Sequence, residues 1–384
     1  MTLGSQAHCN TVVPIGPQPH NRAFYILHAP PSSVIESRWR ACLTDSDFPT
    51  HYTAPDLFSE PMFRNNKGFA VLSLVGEEVT GVLTGIKSGD CIQSGLSVRP
   101  QIALRRGGDS ALAVGDLIAG LLAEAEGAKL IDLFAWADMV SLIEPRFRRR
   151  QYEGVVMLDL SRGPGALFRD FSENKKRNIK RAVKSGVSVA SAKNVDEIRE
   201  YYQVCVDWCR RKCLPIPGEE KFQEIFALKG NRLLFLARHQ DKIIAGVVIR
   251  FFPHGVMEYA ANSSLENALH LRPNDLLHWR VIEWGCREGI TKYSLGGTHL
   301  FLRKFGGQIV PTTRCRLDLS MFRGYTMRDW LAERVDQVRS YVPEGVIAIG
   351  RALRPRAPKF LPAGIRNGST RSGAQPQVTY KPAV

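Results

Sequence analysis

The sequence predicts an α/β fold with mixed sheets, built as two similar units in tandem. Three observations carry this. Strand-like runs come in threes at two places in the chain, each triplet leads into a helical stripe and one further strand, and landmark residues of the two copies keep a nearly constant separation.

In the first copy, Phe69–Val75, Val79–Ile86 and Cys91–Ser97 are rich in β-branched and apolar residues. They are parted by the turn signals Gly76-Glu77-Glu78 and Ser88-Gly89-Asp90. In the second copy, Leu233–Arg238, Ile243–Phe251 and Val256–Asn262 play these parts, split by His239-Gln240-Asp241 and Pro253-His254-Gly255. Helices follow at Ser110–Glu126 and Asp275–Glu288, then strands at Leu130–Phe134 and Lys292–Leu295. Val114, Leu117, Ile118, Leu121, Leu122 and Ala125 form one stripe of the first helix, at the 3.6-residue period. Gly81 and Gly246, like Asp109 and Asn274, lie 165 residues apart, and Gly127 and Gly289 lie 162 apart.

These landmarks divide the chain into a loose arm (1–22, with Pro14, Pro17 and Pro19), a first unit (23–160), a second unit (161–325), a helix (326–350) and a tail (351–384). The tail carries Arg351, Arg354, Arg356, Lys359, Arg366, Arg371 and Lys381 with no acidic residue, a composition expected to stay disordered. Between the copies, Asn194 followed three residues later by Glu197 reads as a helix start. The stripe Ile198, Tyr201, Tyr202, Cys205, Trp208 and Cys209 then faces a core. Cys205, Cys209 and Cys213 have no His or carboxylate cluster beside them, so packing is expected there and no metal.

A hydrophobic share of 44% with 23% charged residues is ordinary for a folded protein. The longest apolar run, Ala111–Ala123, is broken by Asp116 and two glycines, too short for a membrane span. No secretion signal opens the chain, and the eight cysteines include no CxxC pair, so cytoplasm and free thiols are expected. A net charge of +15 favours anionic partners: nucleotide, CoA, tRNA or an anionic membrane surface. Arg146, Arg148, Arg149 and Arg150 form one basic patch, read as surface or membrane-proximal charge.

Two stretches carry chemistry. Arg105-Arg106-Gly107-Gly108-Asp109-Ser110 opens the first helix, where free backbone N–H groups and the helix dipole suit a pyrophosphate. It resembles the acyl-donor turn of the GNAT acetyltransferases, so Arg105, Gly107, Gly108 and Ser110 are the donor-binding candidates; a plain Gly-rich turn is the alternative. The second stretch is longer: Glu258-Tyr259-Ala260-Ala261-Asn262-Ser263, then Arg272 to Trp279, then Tyr293-Ser294-Leu295-Gly296-Gly297-Thr298, closing on Phe301 to Phe305-Gly306-Gly307. Together with the basic run Phe171 to Ala182, it resembles the C-terminal unit of the FemABX-like acyltransferases, the likeness covering roughly residues 60 to 320. That resemblance implies two GNAT-like units, an acyl donor that is CoA-bound or aminoacyl-tRNA, no tightly bound cofactor, and an amine acceptor that is a small molecule or a cell-envelope precursor. It assigns Tyr259, Asn262, Asn274, Trp279, Gly296, Gly297 and Thr298, with Lys176, Arg177, Lys180 and Arg181, to the substrate site.

Family members often close with Phe-Lys-x-x-Phe-Gly; here Leu302 follows Phe301, leaving Arg303 or Lys304 to supply that charge. No charged helical-hairpin insertion of the kind tRNA-using members carry is present, which tilts the donor toward acyl-CoA. Acyl transfer to an amine needs an oxyanion site and proton transfer but no covalent enzyme intermediate. For the proton, Glu258, Asp275 and His278 are candidates, each with a structural alternative as strand surface, helix cap or core-edge histidine; Tyr259 and Tyr293 are weaker acids. Like-charged pairs Lys176–Lys180 and Arg177–Arg181 at i, i+4 repel unless an anion lies between them; a solvated helix face is the other reading. The second unit is expected to be catalytic. The non-enzymatic alternative, a nucleic-acid or anionic-membrane binding module, has no helix-turn-helix, RNA-recognition or zinc signature behind it.

Overall fold

The computed structural model describes residues 11–14, 22–60, 67–96, 98–220, 223 and 230–341. Residues 1–325 make one compact body and 326–384 a second.

The body is organised on one sheet. Its strands are β1 (Thr11–Pro14), β2 (Arg22–Leu27), β3 (Lys67–Val75), β4 (Glu78–Ser88), β5 (Cys91–Ser94), β6 (Ile102–Leu104), β7 (Leu130–Trp136), β8 (Arg148–Asp159), β9 (Ser188–Ser191), β10 (Arg232–His239), β11 (Lys242–Phe251), β12 (Val256–Ser264), β13 (Lys292–Ser294) and β14 (Gln308–Asp318). The spatial order is β1-β2-β3-β4-β5-β7-β14-β8-β13-β12-β11-β10-β9, with β6 on β4. Its helices are α1 (Ser33–Thr44), α2 (Ser110–Glu124), α3 (Gly163–Asp170), α4 (Glu173–Lys184), α5 (Val195–Arg211), α6 (Pro273–Arg287) and the short α7 (Leu300–Arg303). Thr11–Pro14, inside the stretch expected as a loose arm, thus pair with β2.

The same local grammar is executed twice. β3-β4-β5 is an antiparallel meander, α2 crosses over, and β7 returns parallel to β5; β10-β11-β12, α6 and β13 repeat this, with β13 parallel to β12. Even the irregularities correspond: the first hairpin shifts register between Ser73 and Leu74, the second between Ala237 and Arg238. Parallel return requires a crossover, which is why each helix lies between its third and fourth strands. α2 buries Val114, Leu117, Ile118 and Leu121 on Val71, Leu83 and Leu133, each worth about 1.5–3 kcal/mol as buried apolar surface. α6 does the same with Leu276, Leu277, Val281 and Ile282 on Val247, Ile249 and Met257. At α5, Asn194 accepts from the Glu197 N–H at 3.0 Å, while Glu197 reaches back to the Lys193 N–H at 2.6 Å.

The two copies exchange their last strands. β8 closes the first copy in sequence but pairs with β13 of the second, and β14 closes the second but pairs with β7 of the first; β8 and β14 lie side by side at the centre. The crossing is tight. Gly154 has φ +86°, and a Cβ there would meet the Val310 carbonyl oxygen at 1.9 Å.

In the second body the described element is α8 (Gly324–Tyr341), which begins at the end of the first. Arg334 lies over the Trp330 ring at 5.4 Å. The tail expected as basic and disordered lies outside the described residues. Among the described residues no helix is long and apolar enough to cross a membrane.

Candidate active site

The second copy's sheet opens where β12 and β13 part. Their pairing runs only from Val256–Lys292 to Glu258–Ser294. Beyond it the Leu295 N–H donates to the Val156 carbonyl and the Val156 N–H to the Gly297 carbonyl, at 2.9 and 3.0 Å, so the chain after β13 turns to β8. β12 continues to Ser264 against β11 and carries an extra residue, Ala260, between Tyr259 (opposite Ile249) and Ala261 (opposite Val248). The bulge re-aims the backbone at the mouth of the opening, beside Tyr259.

Arg99 enters this opening from the first copy. Its guanidinium donates to the Tyr259 carbonyl at 2.7 Å. Gly296 has φ +75°, and a Cβ there would lie 2.1 Å from an Arg99 nitrogen, so Gly296 both needs its left-handed backbone and makes room for the arginine. Arg99 stands in a loop with no periodicity or motif around it, and sequence reasoning missed it.

The two helix N-termini differ. At α2, the Asp109 carboxylate caps the helix by accepting from the Leu112 N–H at 2.9 Å. Arg105 is engaged by Glu78 at 2.7 Å and Asp45 at 3.4 Å, and Arg106 by Asp47 at 3.7 Å. Arg105, Gly107 and Ser110 line a small pocket together with Asp47 and Asp138. Carboxylates thus surround that donor-binding candidate. At α6, Arg272 adopts a left-handed conformation (φ 60°), Pro273 takes the first helical position, and no side chain caps the end. Asn262 ties this end to β12, donating to the Gly246 carbonyl and to Asn274 Oδ1, both at 3.1 Å.

Asp275 turns away from solvent and pairs with the buried Lys175 of α4; Asn178 donates to its other oxygen at 3.1 Å. The Lys175 ammonium lies 3.1 Å from the Phe301 ring centre and 4.0 Å from that of Phe305. Burial pulls its pKa down to about 8, against the attraction of Asp275, with Lys304 and Arg272 lowering it further. His278 stands in the same cage, its ring centre 5.0 Å from Tyr259, 5.9 Å from Phe301 and 5.2 Å from Phe305, with Nδ1 3.0 Å from the Tyr293 hydroxyl. Burial, then Lys175, pushes its pKa to about 3, so it is neutral at any working pH. Tyr259, Asp275, His278 and Lys175 therefore form one cluster between the opening and the end of α6. Lys175 had a sequence signal: it shares the buried stripe of α4 with Ile179 and Ala182.

Glu258, the last paired residue before the opening, is buried and faces His51, with Nδ1 to Oε2 at 3.4 Å. Burial opposes its charge, but His51, Arg99 and Arg250 outweigh that and hold its carboxyl below the usual range. His51 itself is lowered to about 4, by burial first, against Glu258. Arg250 donates to the Tyr52 hydroxyl at 2.6 Å, and Arg232 pairs with Glu60, so this buried polar layer joins the two copies.

Other candidates lie outside the cage. Trp279 packs on Phe168 and Phe171, at 4.9 and 5.5 Å. Arg303 donates to the Thr298 carbonyl and to Glu153, and the Thr298 hydroxyl donates to Glu153, each at 2.6 Å on the surface. Lys304 is half-buried at the end of α7; Arg177, Lys180 and Arg181 are exposed on α4, and Lys176 pairs with Glu173 at 2.8 Å. Among the described residues no group of three His, Cys, Asp or Glu side chains is placed to hold a metal ion.

The family profile described as Acetyltransferase (GNAT) domain matches residues 169–301, the stretch that holds α4, the opening and the cage. Residues 169–301 thus form a GNAT-type acetyltransferase domain. Among solved structures the chain is similar to FemX at 13% identity, over 72% of this chain and 95% of that one, with a TM-score of 0.56. It is also similar to L-PGS from Bacillus licheniformis at 13% identity, over 77% of this chain and 94% of that one, with a TM-score of 0.50. At such identity these likenesses concern the fold, and they span both copies. Comparison with curated protein sequences finds no match.

Proposed function

We propose that the second copy catalyses N-acyl transfer from an acyl-CoA to an amine of a small molecule or envelope precursor. The observation that carries this reading is the parting of β12 and β13 after Glu258 and Ser294, next to a helix end that no side chain caps. In this reading the acyl chain enters that opening, with its carbonyl held by backbone N–H groups near the bulge and the CoA pyrophosphate by the N-terminus of α6 and Arg272. The first copy's equivalent helix end is occupied by Asp109, which argues against a second donor site there.

The amine attacks the thioester carbonyl, the tetrahedral oxyanion collapses, and the thiolate leaves. One proton must leave the amine and one must reach the sulfur. Lys175, brought to about 8, is close to the roughly 8.5 of an ordinary thiol, so it is matched to protonate the departing thiolate and then to be recharged by the proton that the amine gives up. Asp275 holds that ammonium in place, and neutral His278 orders the aromatic wall. Arg99 would have to swing or share its place when the acyl group enters.

A second reading, transfer from aminoacyl-tRNA, is favoured by the exposed cations Arg177, Lys180 and Arg181 on α4. A thermal-shift panel followed by a free-thiol assay separates the two. Acetyl-CoA or a longer acyl-CoA should raise the melting temperature, and an accepted amine should release CoA thiol. Stabilisation by aminoacyl-tRNA without any response to acyl-CoA would transfer the reading to tRNA.

A further inference from the structure

Exposed apolar side chains gather after β14, where the sheet ends and α8 begins. Between residues 319 and 331, Leu319, Met321, Phe322, Met327, Trp330 and Leu331 all face solvent. Elsewhere among the described residues, exposed large apolar side chains such as Val34, Val183, Leu269 and Ile309 are scattered along the chain. Scattered ones are normal on a folded surface, whereas a run of them marks a binding surface.

α8 orders its share of this run. Met327, Trp330, Leu331 and Arg334 stand at i, i+3, i+4 and i+7, the spacing that brings residues onto one face of a helix. All four are exposed. Arg334 lies over the Trp330 ring at 5.4 Å, so a cation borders the apolar face. Charges along the helix balance, with Arg328, Arg334 and Arg339 against Asp329, Glu333 and Asp336. Its attraction is therefore apolar. Residues 351–384 bring the complementary property, seven Lys and Arg with no acidic residue among them.

An apolar helix face and a basic stretch in one chain are two weak signals that together hold a protein on an anionic bilayer. Aromatic and aliphatic side chains enter the headgroup region, and each cation near the surface strengthens binding by roughly fivefold. Trp330 beneath an arginine suits the boundary between headgroups and acyl chains, where one part of the ring is dry and the other wet. A second copy of the chain fits this face less well. Three side chains within little more than one helical turn bury far less than the about 800 Å² per partner of a specific protein interface.

We propose that the Met327, Trp330 and Leu331 face of α8, assisted by the basic stretch 351–384, binds the surface of an anionic lipid bilayer. The contact uses none of the residues of the opening or the cage, and the proposal does not depend on the acyl-transfer reading.

The test is co-sedimentation of the full chain with phosphatidylglycerol and with phosphatidylcholine vesicles, beside light scattering of the protein alone. Two variants are compared with the parent. Trp330→Gln/Leu331→Gln changes only exposed side chains and should keep the parent's melting temperature and its response to acyl-CoA; Arg354→Gln/Arg356→Gln/Lys359→Gln removes three cations of the basic stretch. Phosphatidylglycerol binding that exceeds phosphatidylcholine binding, and that weakens by about tenfold or more in each variant, supports the proposal. Binding to neither vesicle, equal binding to both, or phosphatidylglycerol binding that either variant leaves unchanged overturns it. A dimer in light scattering that Trp330→Gln/Leu331→Gln dissociates, with no vesicle binding by the parent, would give the face to a second copy and overturn it as well.

Discussion

Lys175→Met tests the cage most directly. Lys175 and Asp275 are 2% and 5% exposed, so removing the ammonium leaves a buried carboxylate with Asn178 and the first turn of α6 as its remaining support. Breaking a buried ion pair by deleting one partner costs about 3–5 kcal/mol, of which the helix dipole can offset roughly 1 kcal/mol. We expect a net loss of about 3 kcal/mol in the free energy of urea unfolding, seen as a lower midpoint with an unchanged slope. Adding Asp275→Asn removes the orphaned charge, and this double variant should return to within about 1 kcal/mol of the parent. Turnover separates folding from chemistry, because the double variant should fold and still transfer no acyl group. A Lys175→Met protein as stable as the parent would sink the description of the pair, and an active double variant would remove Lys175 from the reaction.

Other outcomes follow from the same geometry. His51 and His278 have folded pKa values of about 4 and about 3, below the ordinary 6.5, so the unfolded chain binds more protons between those limits. Stability should therefore be full above pH 6.5 and fall toward pH 4 by about 1.4 kcal/mol per pH unit for each histidine; His51→Gln should remove one share of that slope in urea titrations at several pH values. Lys175 is also lowered, from 10.5 to about 8, so its burial penalty should lift as pH rises from about 8 to 10.5; the parent should gain stability in that window and Lys175→Met/Asp275→Asn should not. Gly296→Ala combines a left-handed backbone with a clash against Arg99 and should cost about 2 kcal/mol in thermal unfolding. Pairing it with Arg99→Ala should recover only the steric part, whereas full recovery would mean that the backbone is unstrained.

Much of the fold was legible because it is written in short-range code. Alternation, turn residues at Gly76 and Gly255, and the stripe of α2 depend on neighbours a few positions apart, and the observed strands start and stop within a few residues of expectation. The strand exchange was not legible, since nothing local to Val155 or Ile309 says which copy's sheet they will join. Tyr259, Asp275 and His278 were found together because they travel in one quotable string. Arg99, His51 and Arg250 were missed because each is an ordinary polar residue until the tertiary fold brings it to Glu258. Lys175 fell between these cases: it was visible as part of a basic run, and only its step onto the stripe of Ile179 and Ala182 separates it from its solvated neighbours.

The crossed arrangement of β8 and β14 bears on how such a chain can be taken apart. A cut after Asp159 gives neither piece a complete sheet: the first would keep β8 with no β13 to lie on, and the second would keep β14 with no β7. Each piece would offer a bare strand edge whose natural occupant is on the other. Antiparallel β8 and β14 meet as two equivalent ends would in a symmetric swapped dimer, so the chain has the form of such a dimer tied into a single polypeptide. Mixed together, the severed pieces should therefore find each other in preference to remaining apart.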